Sequence, residues 1–85
     1  MNKQAEAVSH IKDLLSKRGV TVPTRNLTLE DNQKWVIFDY QGKQIGIDMA
    51  SGVWKRQSSD EYWQCIGMPC TVSCAIQAVD FLTKD

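Results

Sequence analysis

The chain has 85 residues, enough for one domain, and 42% of them are hydrophobic and 24% charged. Ten basic residues balance ten acidic ones, which argues against a dedicated duplex-binding protein, because such proteins need clustered lysine and arginine for phosphate contacts. No apolar run approaches the roughly 20 residues that span a bilayer, and the N-terminal "MNKQAEAVSHIKDLL" lacks the apolar block of a signal peptide. We therefore expect a single compact domain over residues 1–85, cytoplasmic and without a membrane partner.

Residues 3 to 18 predict an amphipathic helix, because their apolar side chains recur at helical spacing and their charged side chains fall on the other side. Asp13 and Lys17 stand four residues apart with the acid first, which favours a helix. Gly19 follows as a left-handed cap residue. The predicted apolar stripe consists of Ala7, Val8, Ile11, Leu14 and Leu15.

The middle of the chain predicts strands at residues 27–30, 34–40, 43–49 and 53–57, with a further short strand or irregular segment at 62–66. Gln41 and Gly42 form a two-residue turn. This turn pairs Tyr40 with Lys43, Phe38 with Ile45 and Val36 with Ile47, so alternation gathers their apolar members on one face. The predicted apolar face consists of Val36, Phe38, Ile45, Ile47 and Met49.

Residues 70 to 83 predict a second helix, whose apolar arc is unusually wide. Such a helix is either wedged between the sheet and the first helix or partly covered by a second chain. The element order is therefore α-β-β-β(-β)-α, an α+β domain with a three- to four-stranded antiparallel meander. We expect both terminal helices to pack on the face that carries Phe38 and Ile45.

Three cysteines, Cys65, Cys70 and Cys74, lie within ten residues. A tetrahedral zinc site needs four ligands, and this spacing supplies no second pair, so no metal or cofactor is expected. Cys70 lies near the start of the last helix, where unpaired amides favour a thiolate, and Cys65 or Cys74 could resolve it. Cys70 and Cys74 are therefore candidate reactive thiols. The alternative interpretation is that all three cysteines are small buried hydrophobic residues that pack the connection into the last helix.

Catalytic patterns are missing from the sequence. His10 is the only histidine and lies on the polar side of the first helix, and no nucleophile elbow, P-loop or dinucleotide fingerprint occurs. The sequence therefore favours a non-enzymatic role and predicts no catalytic residues.

The strand "KWVIFDY" carries apolar side chains on both of its faces. Val36 and Phe38 point to the helix-covered face, so Trp35 and Ile37 point away from it. Gly46 opposes Ile37 and leaves a shallow gap there. These side chains are either buried by other parts of the monomer or exposed as a partner site. The candidate binding surface consists of Trp35, Ile37, Trp54, Arg56 and Trp63. The main hypothesis is a small interaction module that binds an unidentified protein or a second copy of itself as a homodimer.

The alternative hypothesis is a nucleic-acid-binding domain, in which these rings stack single-stranded bases beside Lys34, Lys43, Lys55 and Arg56. The order α-β-β-β-α resembles the double-stranded-RNA-binding fold, whose members carry a lysine-rich entry to the last helix. The corresponding stretch here, "MPCTVSCAIQ", has no lysine or arginine, so the resemblance implies a similar element order but not the phosphate anchor. A thiol- or metal-dependent protein using Cys65, Cys70 and Cys74 is a third class.

Overall fold

A computed structural model describes residues 2–84 of the chain, which fold as an N-terminal helix, a five-stranded antiparallel sheet and a C-terminal helix. The expected α+β class and element order are confirmed, although the sheet has five strands rather than three or four. The main elements are α1 (Lys3–Lys17), β1 (Thr24–Thr28), β2 (Lys34–Tyr40), β3 (Lys43–Ile47), β4 (Val53–Arg56), β5 (Gln64–Gly67) and α2 (Val72–Thr83).

Helix α1 begins and ends where its capping residues require. The side-chain oxygen of Asn2 accepts a hydrogen bond from the Ala5 N–H at 3.2 Å, satisfying one of the unpaired amides of the first turn. At the other end Gly19 adopts φ +71°, and the N–H of Val20 bonds to the Leu15 carbonyl at 3.0 Å. The predicted glycine cap is therefore confirmed, with the hydrogen bond of a Schellman motif.

The strands form a meander in the order β1-β2-β3-β4-β5. The β2–β3 hairpin has the predicted register, with Phe38 opposite Ile45 and Val36 opposite Ile47. Its two turn residues, Gln41 and Gly42, both have positive φ, as a two-residue turn matched to the sheet twist requires. Strand β1 begins three residues earlier than predicted, and its pairing with β2 extends the sheet by one regular edge strand.

Both helices pack on one face of the sheet, as expected. The core between the layers joins Ile11 and Leu15 of α1, Ala78 and Leu82 of α2, and the strand residue Phe38, all at most 2% exposed. Burial of this apolar surface is the main stabilising contribution to the fold. The other strand residues of this core are Ile45, Ile47 and Val53.

Met49 does not join the apolar face, and that part of the prediction is wrong: its side chain is 59% exposed. Strand β3 ends at Ile47 because the Asp48 carboxylate accepts hydrogen bonds from the N–H groups of Ala50 and Gly52, both at 2.8 Å. This side-chain cap turns the backbone out of the sheet. Met49 consequently lies in an exposed turn.

Helix α2 begins at Val72, two residues later than predicted. The hydroxyl of Thr71 accepts a hydrogen bond from the Cys74 N–H at 3.2 Å, so Thr71 is the N-cap and Cys70 lies before the helix. The peptide bond between Met68 and Pro69 is cis. Within residues 2–84, neither helix combines the length and apolar character needed to cross a membrane.

Candidate functional site

The sheet face turned away from the helices carries a cluster of tryptophans. The ring centroid of Trp35 lies 5.7 Å from that of Trp54 and 5.4 Å from that of Trp63. The guanidinium carbon of Arg56 lies 4.1 Å from the centroid of Trp63, within cation–π distance. Alternation along β2 places Ile37 on the same face. We call these five predicted residues the tryptophan face.

The members of the tryptophan face differ in exposure. Trp35 is 7% and Ile37 0% exposed, whereas Trp54, Arg56 and Trp63 are half-buried. Because Trp63 lies in the connection from β4 to β5 and its ring reaches both Trp35 and Arg56, this connection folds back over the sheet. The three rings therefore form a small second core, whose accessible part is contributed by the three half-buried residues.

Gly46 explains why the rings can approach the sheet so closely. A β-carbon at this position would stand 2.7 Å from the Trp35 ring, closer than van der Waals contact allows, and 3.3 Å from Ile37, which is a tight contact. Because Gly46 has no side chain, the Trp35 ring can pack directly against the backbone of β3. The gap predicted opposite Ile37 is thus filled by Trp35 and is not a binding cleft.

A row of polar side chains holds Arg56 over the ring of Trp63. The Arg56 Nε donates to the Gln44 side-chain oxygen at 2.5 Å, and the Gln44 amide donates to Asp39 at 3.1 Å. Asp39 also lies 3.7 Å from the Arg25 guanidinium. Burial, and then the neighbouring charge of Arg25, lower the pKa of Arg56, while Asp39 opposes that effect. The Arg56 guanidinium therefore already has partners within the chain, the Gln44 side chain and the Trp63 ring.

The lysines named in the nucleic-acid hypothesis lie on the other side of the sheet. Lys43 donates to the carbonyl oxygens of Phe81 and Lys84 at the end of α2, and the Lys55 ammonium lies 5.5 Å from the Phe81 ring centroid. Lys34 lies two residues before Val36 in β2, so its side chain points to the helix-covered face. Of the four basic residues in that hypothesis, Arg56 alone shares a face with the tryptophans.

The cysteines occupy three environments: Cys65 is exposed, Cys70 half-buried and Cys74 buried, and all are free. Burial raises the pKa of the Cys70 thiol, with a smaller contribution from Cys74, and this lowers the thiolate fraction on which reactivity depends. The Cys74 sulfur occupies the space that a β-carbon on Gly67 would take. Within residues 2–84, no cluster of three or more histidine, cysteine or acidic side chains could hold a metal ion.

An exposed apolar surface lies elsewhere, near the start of α2, and strand reasoning missed it. We define the end patch as Met49, Met68, Val72 and Ile76, whose exposed fractions are 59%, 55%, 62% and 40%. Val72 and Ile76 occupy successive turns of α2. The Met68 methyl lies 2.7 Å from the β-carbon position of Gly52, in the turn that also carries Met49. The sequence signal was the wide apolar arc of α2.

A groove of about 450 Å³ adjoins the end patch, between the first turns of α1 and the segment that leads into α2. Its apolar wall includes Pro69 and Val72, and its polar wall includes Glu6 and His10. Glu6 and His10 are both exposed, so the polar wall of the groove holds no buried acid–base pair. It can accept an apolar side chain at one wall and a charged or hydrogen-bonding group at the other. The full lining is Lys3, Glu6, Ala7, His10, Ser51, Pro69, Cys70, Thr71 and Val72.

Comparisons of the chain with protein-family models, with characterised proteins and with solved structures find no match. The surfaces and contacts described above are therefore the basis for inferring its function.

Proposed function

We propose that the chain is a non-enzymatic protein-interaction module that binds one amphipathic helix of a partner protein at the end patch. The observation that carries the proposal is the exposure of four large apolar side chains at one end of a domain whose core is already closed. Exposed apolar surface beyond single scattered side chains typically marks a contact site on a small domain.

Val72 and Ile76 have no evident structural role that would keep them apolar. The inward side of α2 is supplied by other residues, including Ala75, Ala78 and Val79, all 0% exposed. Val72 and Ile76 instead point outward from the same helix. The first explanation for the wide apolar arc accounts for most of it, because α2 packs between α1 and strands β3–β5. We assign only the outward part, Val72 and Ile76, to the second explanation, in which another chain covers α2.

The size of the end patch favours a single helix as its occupant. A helix needs only a few apolar anchors spaced over one or two turns. Two of the four patch residues are methionines, whose flexible thioether side chains adapt to the shape of an apolar partner.

The charges around the groove define the polar edge of that helix. Lys3, Glu6 and His10 project from the exposed side of α1, so the rim carries both signs of charge. A partner helix with an apolar stripe bordered by an acid and a base would match this rim. Such rim charges set orientation and specificity more than affinity.

Photo-crosslinking in the source cells tests the proposal. A photoreactive amino acid is placed at Ile76 and, as a matched control, at the neighbouring exposed polar position Gln77. We expect a crosslink to one protein from Ile76 and not from Gln77, mapped to a segment with helical apolar spacing. A synthetic peptide of that segment should bind the wild-type chain and lose at least tenfold in affinity against Val72→Lys.

Two results would contradict the proposal. Equal crosslinking from Ile76 and Gln77 would show that the patch has no selective occupant. A mapped peptide that binds Val72→Lys as tightly as the wild type would place its contact elsewhere on the domain.

A further inference from the structure

Strand β1 leaves one edge of the sheet open. Four of its five residues are exposed, and Leu27 is half-buried. The strand contains neither proline nor a bulge, and its register with β2 is regular throughout. A regular, uncovered edge is a template for pairing with another strand.

The hydrogen-bond pattern identifies which backbone groups are free. The Asp39 N–H bonds to the Pro23 carbonyl and the Leu29 N–H bonds to the Gln33 carbonyl, so residues at odd positions of this pairing face β2. Bonded and non-bonded positions alternate in an antiparallel ladder. The N–H and C=O groups of Thr24, Asn26 and Thr28 therefore point away from the sheet, and within residues 2–84 they make no hydrogen bond to another strand.

We propose that β1 pairs antiparallel with β1 of a second copy of this chain about a two-fold axis at Asn26, forming a homodimer with a continuous ten-stranded sheet. This surface is separate from the end patch, so the proposal does not depend on the proposed function. Two-fold symmetry makes the interface isologous and self-limiting.

The symmetric register satisfies the free groups of the edge. With Asn26 opposite Asn26 of the second copy, Thr24 stands opposite Thr28 of that copy, and the reverse pair follows by symmetry. Each of these outward-facing residues donates one N–H and accepts one bond, which gives six interchain hydrogen bonds in the antiparallel pattern. The threonine pairs are among the cross-strand pairs that stabilise sheets.

The charge on β1 is balanced within each copy. The one charged residue of β1, Arg25, is turned across the sheet towards Asp39, 3.7 Å away, and the symmetric register places it opposite Leu27 of the second copy. The chain has no formal net charge, so long-range repulsion between copies is small.

The other sheet edge is protected and the β1 edge is not. Strand β5 has four residues and pairs irregularly with β4 near Val53 and Trp54. Short length and irregular pairing are devices that prevent edge association. On the helix side of β1, Thr24 and Asn26 line a groove of about 420 Å³ together with Val8 and Val36. A second copy of β1 would bring its own groove alongside and extend the interface.

Sedimentation over a concentration series tests the dimer, with Asn26→Pro as the disrupting variant and Asn26→Thr as its matched control. Proline removes an N–H that faces outward, so the hydrogen bonds between β1 and β2 remain. Two interchain bonds are lost in the dimer, and we expect dissociation to become at least tenfold easier. Asn26→Thr should associate like the wild type. A wild-type chain that stays monomeric at every concentration would overturn the proposal, as would unchanged association of a folded Asn26→Pro.

Disulfide trapping tests the register without depending on the proline variant. In a Cys65→Ser background, Asn26→Cys should form a disulfide-linked dimer on mild oxidation, because directly opposite bonded residues have Cα atoms about 5.5 Å apart. Thr24→Cys alone should not, whereas Thr24→Cys mixed with Thr28→Cys should form the mixed dimer. Trapping at Thr24→Cys alone as efficient as at Asn26→Cys would refute this register.

Discussion

The Asp48 carboxylate accepts a hydrogen bond from the indole N–H of Trp54 at 2.9 Å. The same carboxylate accepts the N–H groups of Ala50 and Gly52, so one buried side chain fixes both the β3–β4 turn and a ring of the tryptophan face. Replacing it changes both together. We expect Asp48→Ala to lower the free energy of unfolding by about 3 kcal/mol, because three donors lose their acceptor.

Chemical denaturation with tryptophan fluorescence as the probe measures this effect. Asp48→Asn should cost less, since it keeps an oxygen for the turn amides while presenting an N–H₂ group to Trp54. Asp13→Ala, an exposed helix position, serves as the control and should change stability by less than about 0.5 kcal/mol. Equal stability of Asp48→Ala and the wild type would mean that water satisfies these donors.

Local sequence patterns predicted most of the fold. The Gln41–Gly42 turn and the apolar alternation on its two sides independently indicate the same pairing of Phe38 with Ile45, and the observed register agrees with both. The cap at Gly19 was predictable for the same reason, since the end of the helical pattern and the need for positive φ coincide there. Where local sequence preferences and tertiary packing favour the same structure, that structure can be predicted from the sequence.

The closure of the tryptophan face was not decidable from the sequence. Trp63 covers that face because an irregular connection folds back onto it, and contacts of this kind leave no periodic signal. The end patch was obscured for a related reason. The apolar residues of α2 show how wide its arc is, but only the placement of α1 and the sheet determines that Val72 and Ile76 remain outside.

Gly46→Ala is predicted to destabilise the domain by about 1–3 kcal/mol, because the added β-carbon would stand 2.7 Å from the Trp35 ring. Urea denaturation measures the loss in free energy of unfolding, and tryptophan emission should shift because the Trp35 ring is displaced from β3. A double-mutant cycle with Trp35→Leu tests the cause. The alanine substitution should cost clearly less when the ring is absent, and an identical cost in both backgrounds would mean that the clash with Trp35 is not responsible.

The Cys70 thiol is predicted to titrate at higher pH in the folded domain than in the denatured chain, because burial raises its pKa and Cys74 adds to the effect. Alkylation rates at Cys70, followed by peptide mapping across a pH series, measure both midpoints. In Cys74→Ala most of the upward shift should persist, since burial is the larger cause. A folded-state midpoint below the denatured one would instead indicate an activated thiol and revive the redox hypothesis.

The sign of this shift also fixes the pH dependence of stability. A thiol whose folded-state pKa is raised contributes its full stability below the denatured-state pKa, and this contribution is lost as the pH rises through the folded value. Denaturation measured at increasing alkaline pH should therefore show a loss that is smaller in Cys70→Ala. An equal alkaline loss in that variant would assign the effect to other groups.

Lysine substitutions in α2 should affect stability differently at its outward and its inward apolar residues. Val72→Lys and Ile76→Lys are expected to change the free energy of unfolding by less than about 0.5 kcal/mol, because both side chains are already exposed and make no essential core contact. Val79→Lys should unfold the domain, since it places an unpaired ammonium in the closed core. Thermal denaturation of the three variants measures the contrast. A large loss for Val72→Lys would show that this end of α2 is held by apolar packing within the monomer, and it would remove the basis for treating the end patch as a surface kept apolar for a partner.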